Sequence, residues 1–205
     1  VCFSDLGAFG SFYRAGGDVK LVAELPLSSD DLVIDAGGFQ GAWTAEILVR
    51  YGCRSTIFEP VPQFRDTLRN RFAGNSRVRV VGEGLAAQDG DVRLYLAANG
   101  SSVFGRGNAE SLLVRMADVS RVFRDLDLSE IGCMKINIEG GEYDVLERLL
   151  AGGLQERVRC FLIQFHRVAP NSSRRRAQLR QRLSDTHNEV FGFPFVWERW
   201  DRASR

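Results

Sequence analysis

Asp31-Leu32-Val33-Ile34-Asp35-Ala36-Gly37-Gly38-Phe39-Gln40-Gly41 decides how this chain is read. An apolar, partly β-branched run ends on an acid and breaks into three glycines. The run has strand composition, and Ala42 to Tyr51 beyond the glycines has helical spacing. Glycines at such a turn let the backbone approach a ligand at the N-terminus of the next helix.

The same alternation continues outward. Thr56 to Glu59 reads as a second strand, and Pro62 to Phe72 as a helix with proline in its first turn. Val78 to Gly82 is a third strand, and Asp91 to Ala97 alternates polar and apolar residues as a half-exposed strand does. Met134 to Ile138 leads through Glu139-Gly140-Gly141 into a helix over Glu142 to Leu150, and Val158 to Phe165 is a continuous apolar strand. Ser173 to about Asn188 reads as an arginine-rich polar helix, and Phe193 to Trp200 as a last strand. Strands alternating with helices predict a mostly parallel sheet covered on both faces, a three-layer α/β sandwich of Rossmann-like type. Ligands in such sheets bind at the carboxyl ends of the strands, near the point where strand order reverses.

At 205 residues and 44% hydrophobic, the chain fits one domain with a full core. We divide it into a lead-in over 1–30, a ligand-binding core over 31–166, and a C-terminal helix and strand over 167–205. The net charge of +1 exerts no global pull toward nucleic acid or an anionic membrane. Cys2, Cys53, Cys133 and Cys160 form no C-x-x-C pair and read as buried free thiols rather than disulfides or metal ligands. No apolar run has the length of a membrane span and no signal peptide is visible, so the expected location is cytoplasmic.

Glycine turns of this kind occur in NAD-binding, phosphate-binding and methyltransferase domains, and a simple tight turn is the plainest reading. Two acids shift the balance. Asp35 ends its strand where a dinucleotide site normally has no acid, since a carboxylate repels a pyrophosphate but favours the ammonium of a methionine moiety. The spacing from Gly37 is G-G-x-x-G rather than G-x-G-x-x-G. Glu59, in Ile57-Phe58-Glu59-Pro60, ends the next strand where a carboxylate can accept hydrogen bonds from both ribose hydroxyls. These features favour S-adenosylmethionine over NAD, with Asp35, Gly37, Gly38, Gly41, Glu59 and Pro60 as expected cofactor contacts. Glu83 and Leu85, in the loop after the third strand, are expected against the adenine, and a solvated loop acid is an equal reading of Glu83.

Lys135-Ile136-Asn137-Ile138-Glu139-Gly140-Gly141-Glu142 is the second informative stretch. Strand alternation allows Asn137 and Glu139 both to face the crevice, and Glu142 reads equally as a complement to the positive end of the helix it opens or as a catalytic group. With VIDAGGFQG, IFEP and KINIEGGE in this order, the chain resembles the FkbM-type methyltransferase family over roughly Leu32 to His166. Ala98-Asn99-Gly100-Ser101-Ser102 is similar to the family's serine-containing loop, and Gln164-Phe165-His166 adds to the likeness. The resemblance implies a class I methyltransferase fold and an S-adenosylmethionine-dependent O-methyltransferase acting on hydroxyls of sugars or polyketide-like small molecules. Asn137 stands where the family usually has aspartate, and Gln164 where it often has glutamate. Both changes remove a charge.

Methyl transfer to oxygen needs alignment and benefits from a base, typically worth about 10²–10⁴-fold. The candidates are Glu139, as base or ligand of the acceptor hydroxyl, and His166. His166 follows an apolar strand at its carboxyl end, where an imidazole is expected to face the crevice as base or to serve a structural role. Asn137 stands beside them as an uncharged ligand. His187 falls in the polar helical segment and reads as solvated. A metal site from Glu139, Glu142 and His166 matches no ligand signature, and none is expected. Arg174, Arg175, Arg176, Arg180 and Arg182 form a basic run that reads first as a solvated face and second as a nucleic-acid contact. A nucleic-acid methyltransferase and a noncatalytic S-adenosylmethionine-binding domain therefore stand as alternatives to the small-molecule enzyme. The acceptor would be chosen by the loops around Asn99 to Asn108 and by the helix after Pro170.

Overall fold

The protein is described by a computed structural model covering residues 6–97, 100–102, 111–126 and 129–204. Helices α1 (Leu6–Arg14) and α2 (Gly17–Lys20) precede strand β1 (Leu32–Ala36). Then come α3 (Ala42–Tyr51), β2 (Arg54–Phe58), α4 (Pro62–Arg71) and β3 (Val78–Val81). Four strands follow, β4 (Gly84–Ala86), β5 (Gly90–Ala97), β6 (Gly100–Ser102) and β7 (Ser111–Asp118), and then α5 (Val119–Asp125). The chain returns as β8 (Ile131–Ile136), α6 (Glu142–Ala151), β9 (Val158–Ile163), α7 (Ser172–Leu183), β10 (His187–Phe193) and β11 (Trp197–Arg202).

Seven strands form the main sheet in the order β3-β2-β1-β8-β9-β11-β10. The five strands from β3 to β9 are parallel, while β11 runs antiparallel to β9 and to β10. From β1 the chain moves one way to β2 and β3, and later the other way from β8 to β9. The switch point therefore lies between β1 and β8, and it opens a crevice at their carboxyl ends.

Strand alternation sorts the core into two layers. Ile34, Met134 and Phe161 pack with Phe123 of α5, Leu146 of α6 and Leu179 of α7. Their sequence neighbours Val33, Cys133 and Cys160 face the other way and pack with Ile47 of α3. Cys53, Cys133 and Cys160 are buried free thiols, as read from their apolar surroundings. Cys2 lies outside the described residues. None of the described helices is long and apolar enough to cross a membrane.

Three expectations change. The arginine-rich helix ends at Leu183 rather than near Asn188, and His187 begins a strand instead of lying solvated on a helix. Its ring is buried, with Nε2 2.9 Å from the Val158 carbonyl oxygen and Nδ1 2.8 Å from Thr186 Oγ1. The single last strand over Phe193–Trp200 is a hairpin turning at Pro194-Phe195-Val196, where Phe195 takes a positive φ of 57°. The smaller sheet, in the order β4-β7-β5-β6, was legible only at β5. The chain passes from β5 to β7 through the 98–110 stretch, of which only β6 is described, so the rest of the Asn99–Asn108 loops lies outside the described residues.

Candidate active site

The crevice at the switch point encloses about 190 Å³. Its wall takes Gly37 and Phe39 from the loop after β1, and Glu59, Pro60 and Val61 from the loop after β2. Asn137, Ile138, Glu139 and Gly141 come from the loop after β8. The smaller sheet closes the apolar side with Leu85 of β4, Leu94 of β5 and Met116 of β7. Glu59, Pro60, Leu85, Gly37, Asn137 and Glu139, all singled out in the sequence, are thus brought to one cavity. Leu94, Met116 and Phe64 of α4 were not foreseen. Leu94 and Met116 come from half-exposed strands and Phe64 from a polar helix, and no local signal marks them as part of the wall.

Gly37 has φ of 85°, and its main-chain N–H donates to the Phe58 carbonyl at 3.0 Å. A Cβ there would sit 2.0 Å from the Asn137 carbonyl oxygen, so the close approach of the β1 and β8 loops requires glycine. Gly38 and Gly41 serve packing instead of lining the crevice. A Cβ on Gly38 would meet Ile57, and one on Gly41 would meet Leu68 and Phe72.

Glu59 is held from two sides. Oε2 accepts from the Phe39 N–H at 2.9 Å, and Oε1 accepts from the Val61 N–H at 3.0 Å. The carboxylate is 5% exposed, and burial pushes its pKa up further than the two N–H groups pull it down. The Phe39 N–H is aimed by a positive φ of 49°, a conformation uncommon outside glycine. The Phe39 ring meets Phe64 edge-on in the crevice wall, with centroids 4.6 Å apart.

Asp35 does not line the crevice. It is fully buried, with Oδ1 2.7 Å from Lys135 Nζ and Oδ2 accepting from Thr44 Oγ1 at 2.7 Å. Lys135 Nζ also donates to the Gly37 carbonyl at 3.0 Å and lies 5.7 Å from the centroid of the Trp43 ring. The positive partner expected for Asp35 is therefore a lysine of the neighbouring strand, not a ligand ammonium. Glu83 is likewise outside the lining. Its carboxylate faces Arg121 at 3.7 Å, so of the two acid readings the surface one fits its position.

Beyond β8 the chain is bent sharply, with Glu139 at φ 52° and Gly140 at φ 110°. Glu142 fixes this bend: Oε2 accepts from the Gly140 N–H at 2.8 Å and Oε1 from the His166 N–H at 2.7 Å. His166 does not reach the crevice wall, contrary to its expected orientation. Its ring sits between two acids, with Nδ1 3.3 Å from Glu142 Oε1 and Nε2 3.5 Å from Glu139 Oε1. Burial presses the imidazole toward neutrality, but the hydrogen bond and charge of Glu142, with the charge of Glu139, raise its pKa above the ordinary histidine value. Asn137 Oδ1 is buried with no hydrogen-bond partner among the described residues. Among those residues no group of three His, Cys, Asp or Glu side chains is placed to hold a metal ion.

The sheet order, the glycine loop at the switch point and the acid ending β2 together define a class I methyltransferase. The chain belongs to the FkbM methyltransferase family, whose model, the methyltransferase FkbM domain, matches residues 35–191. It is an S-adenosylmethionine-dependent methyltransferase. Among solved structures, it is similar to an rRNA methylase from Streptococcus thermophilus at 11% identity over 92% of this chain and 95% of that one, with a TM-score of 0.54. The 23S rRNA methyltransferase ErmE gives 14% identity over 92% and 68%, with a TM-score of 0.51. A Streptococcus mutans protein assigned as a methyltransferase and solved with SAH gives 8% identity over 92% and 97%, with a TM-score of 0.58. Identities this low carry the fold alone. No curated protein matches the chain.

Proposed function

We propose that this enzyme methylates a hydroxyl oxygen of a small molecule, of the sugar or polyketide-like kind, with residues 1–205 acting as one domain. The observation that carries the reading is the pairing of Glu139, in the crevice wall, with His166 at 3.5 Å. A carboxylate at the end of β8 can take the proton of an acceptor hydroxyl, and an imidazole behind it can orient that carboxylate and share its charge. Glu139 is accordingly assigned the base and His166 the positioning role.

The crevice fits S-adenosylmethionine. Glu59 keeps further lone pairs for the ribose hydroxyls after accepting its two N–H groups. Gly37 lets the main chain close on the ligand, Leu85 and Pro60 offer apolar contact to the base, and the buried Asn137 Oδ1 awaits a donor from cofactor or acceptor. When bound, the cofactor supplies an electrophilic methyl group on a sulfonium. The chain's own work is to align the acceptor oxygen, exclude water with Phe39 and Phe64, and remove the hydroxyl proton at Glu139.

The arginine-rich helix weighs against a nucleic-acid acceptor. Arg175 Nη2 is 2.7 Å from Asp144, Arg176 Nε donates to Glu198 at 2.6 Å, and Arg180 reaches both Glu189 and Glu198. Three of the five arginines in the run are thereby neutralised by neighbouring acids, leaving Arg174 and Arg182 exposed. The test is formation of S-adenosylhomocysteine with a panel of glycosides and macrolides, run beside ribosomal RNA. Turnover with a hydroxyl-bearing small molecule is expected. Turnover with RNA alone would replace this reading, and no turnover with any acceptor would favour a noncatalytic binding domain.

A further inference from the structure

The opposite end of the main sheet carries a second cavity, of about 380 Å³. Its walls come from the first residues of strands whose other ends build the methyl-transfer crevice. Leu32 opens β1 and Arg54 opens β2, while Arg77 and Arg79 flank the start of β3. In the register of β2 and β3, Thr56 lies opposite Arg79. Alternation puts Arg54 on the face of Thr56, and Arg77 on the face of Arg79. One corner of one sheet face thus gathers three guanidinium groups.

None of the three meets a carboxylate among the described residues. Arg54 donates to the Asp30 carbonyl and Arg77 to the Ser29 carbonyl, each at 3.1 Å, and both acceptors are neutral. Arg79 makes no side-chain hydrogen bond or ion pair with a described residue. Elsewhere the protein pairs its arginines freely, as Arg121, Arg148, Arg159 and Arg175 each do with an acid. The acid in this wall, Glu130, is already held by Arg159 at 3.5 Å and by Arg202. Thr56 is 4% exposed and lines the cavity, and Ser55 Oγ in the same wall is buried with no hydrogen-bond partner among the described residues. Ser76 and Ser129 add hydroxyls at the rim. Planar guanidinium forks with nearby hydroxyls match a tetrahedral dianion.

We propose that this corner binds a phosphoryl group, free or carried as an ester on a small molecule, separately from the methyl-transfer crevice. The test is isothermal calorimetry of the full chain with inorganic phosphate and with glycerol phosphate, against sodium chloride of equal ionic strength. Binding of either phosphate beyond the chloride control is expected. Tighter binding of the ester identifies a phosphorylated metabolite as occupant, and tighter binding of the free anion identifies phosphate itself. Arg77→Gln and Arg79→Gln should each weaken binding by about fivefold, the upper range for an exposed charge pair. Thr56→Val should weaken it with both arginines intact. Affinity for S-adenosylhomocysteine should stay unchanged in all three variants, which also verifies their folding. The proposal would be overturned by no binding beyond chloride, by binding that survives in the double arginine variant, or by displacement of S-adenosylhomocysteine by phosphate. Binding of single-stranded RNA through the same arginines, in place of the small phosphates, would also overturn it.

Discussion

Asp35 and Lys135 stand opposite each other in the register of β1 and β8, with Oδ1 and Nζ 2.7 Å apart and both side chains buried. The pair ties the two strands that border the switch point, and Lys135 extends the tie to the Gly37 carbonyl. Removing one partner leaves an uncompensated charge in the core, a loss of about 3–5 kcal/mol. Lys135→Met and Asp35→Asn should each lower stability by that order in urea unfolding, and the double variant should recover much of it. Additive losses would show that the two charges do not depend on each other. Asp35→Ala is accordingly expected to lose cofactor binding through the fold, with a lowered unfolding midpoint accompanying the loss.

Glu59 accepts two main-chain N–H groups while facing the crevice. In Glu59→Gln, the amide turns a donor toward one of those N–H groups and gives up the charge. Affinity for S-adenosylhomocysteine should fall by about tenfold or more, in keeping with hydrogen bonds to a charged acceptor at ~1.5–3 kcal/mol. Glu83→Gln, at the Arg121 contact, should leave it unchanged. Calorimetry on the two variants side by side separates the contributions of these acids.

Gly37→Ala places a methyl group 2.0 Å from the Asn137 carbonyl oxygen at a φ that disfavours any side chain. The β1 and β8 loops must part to admit it. Binding of S-adenosylhomocysteine should be lost, and thermal unfolding should shift downward.

The two histidines should move stability with pH in opposite senses. His166 has a raised pKa, so the folded state holds its proton more tightly than the unfolded chain. Its contribution is fully present below about 6.5, the unfolded value, and is lost as pH rises through the folded pKa. The His187 pKa is lowered, first by burial, with Arg202 adding to the effect against the Val158 carbonyl. Its contribution is present above about 6.5 and is lost as pH falls through the folded pKa. Urea midpoints across pH 5 to about 9 should therefore flatten on the alkaline side in His166→Gln and on the acid side in His187→Gln. Identical profiles for wild type and both variants would contradict these shifts.

Once an acceptor is known, Glu139→Gln should lower turnover by about 10²–10⁴-fold while affinity for S-adenosylhomocysteine holds. His166→Gln should chiefly move the pH profile of kcat, as expected of a residue acting through Glu139. A loss confined to KM would reassign Glu139 to acceptor binding.

The strand-turn-helix signals around Asp35–Gly41, Ile57–Pro60 and Lys135–Glu142 were enough to determine the parallel sheet and the position of its crevice. Each is a local pattern: β-branched runs form strands, and glycines or proline mark where the chain turns. The alternation of strands with helices likewise foretold a sheet covered on both faces. What depends on contacts between distant segments needed the tertiary structure. Asp35 looked like a ligand contact until β8 brought Lys135 beside it, a hundred residues along the chain. His166 appeared to face the crevice until the loops after β8 and β9 set it between Glu139 and Glu142. The basic run on α7 looked solvated until α6 and the β10–β11 hairpin supplied its acids. A charge's partner is chosen by distance in space, and only the folded chain defines that distance.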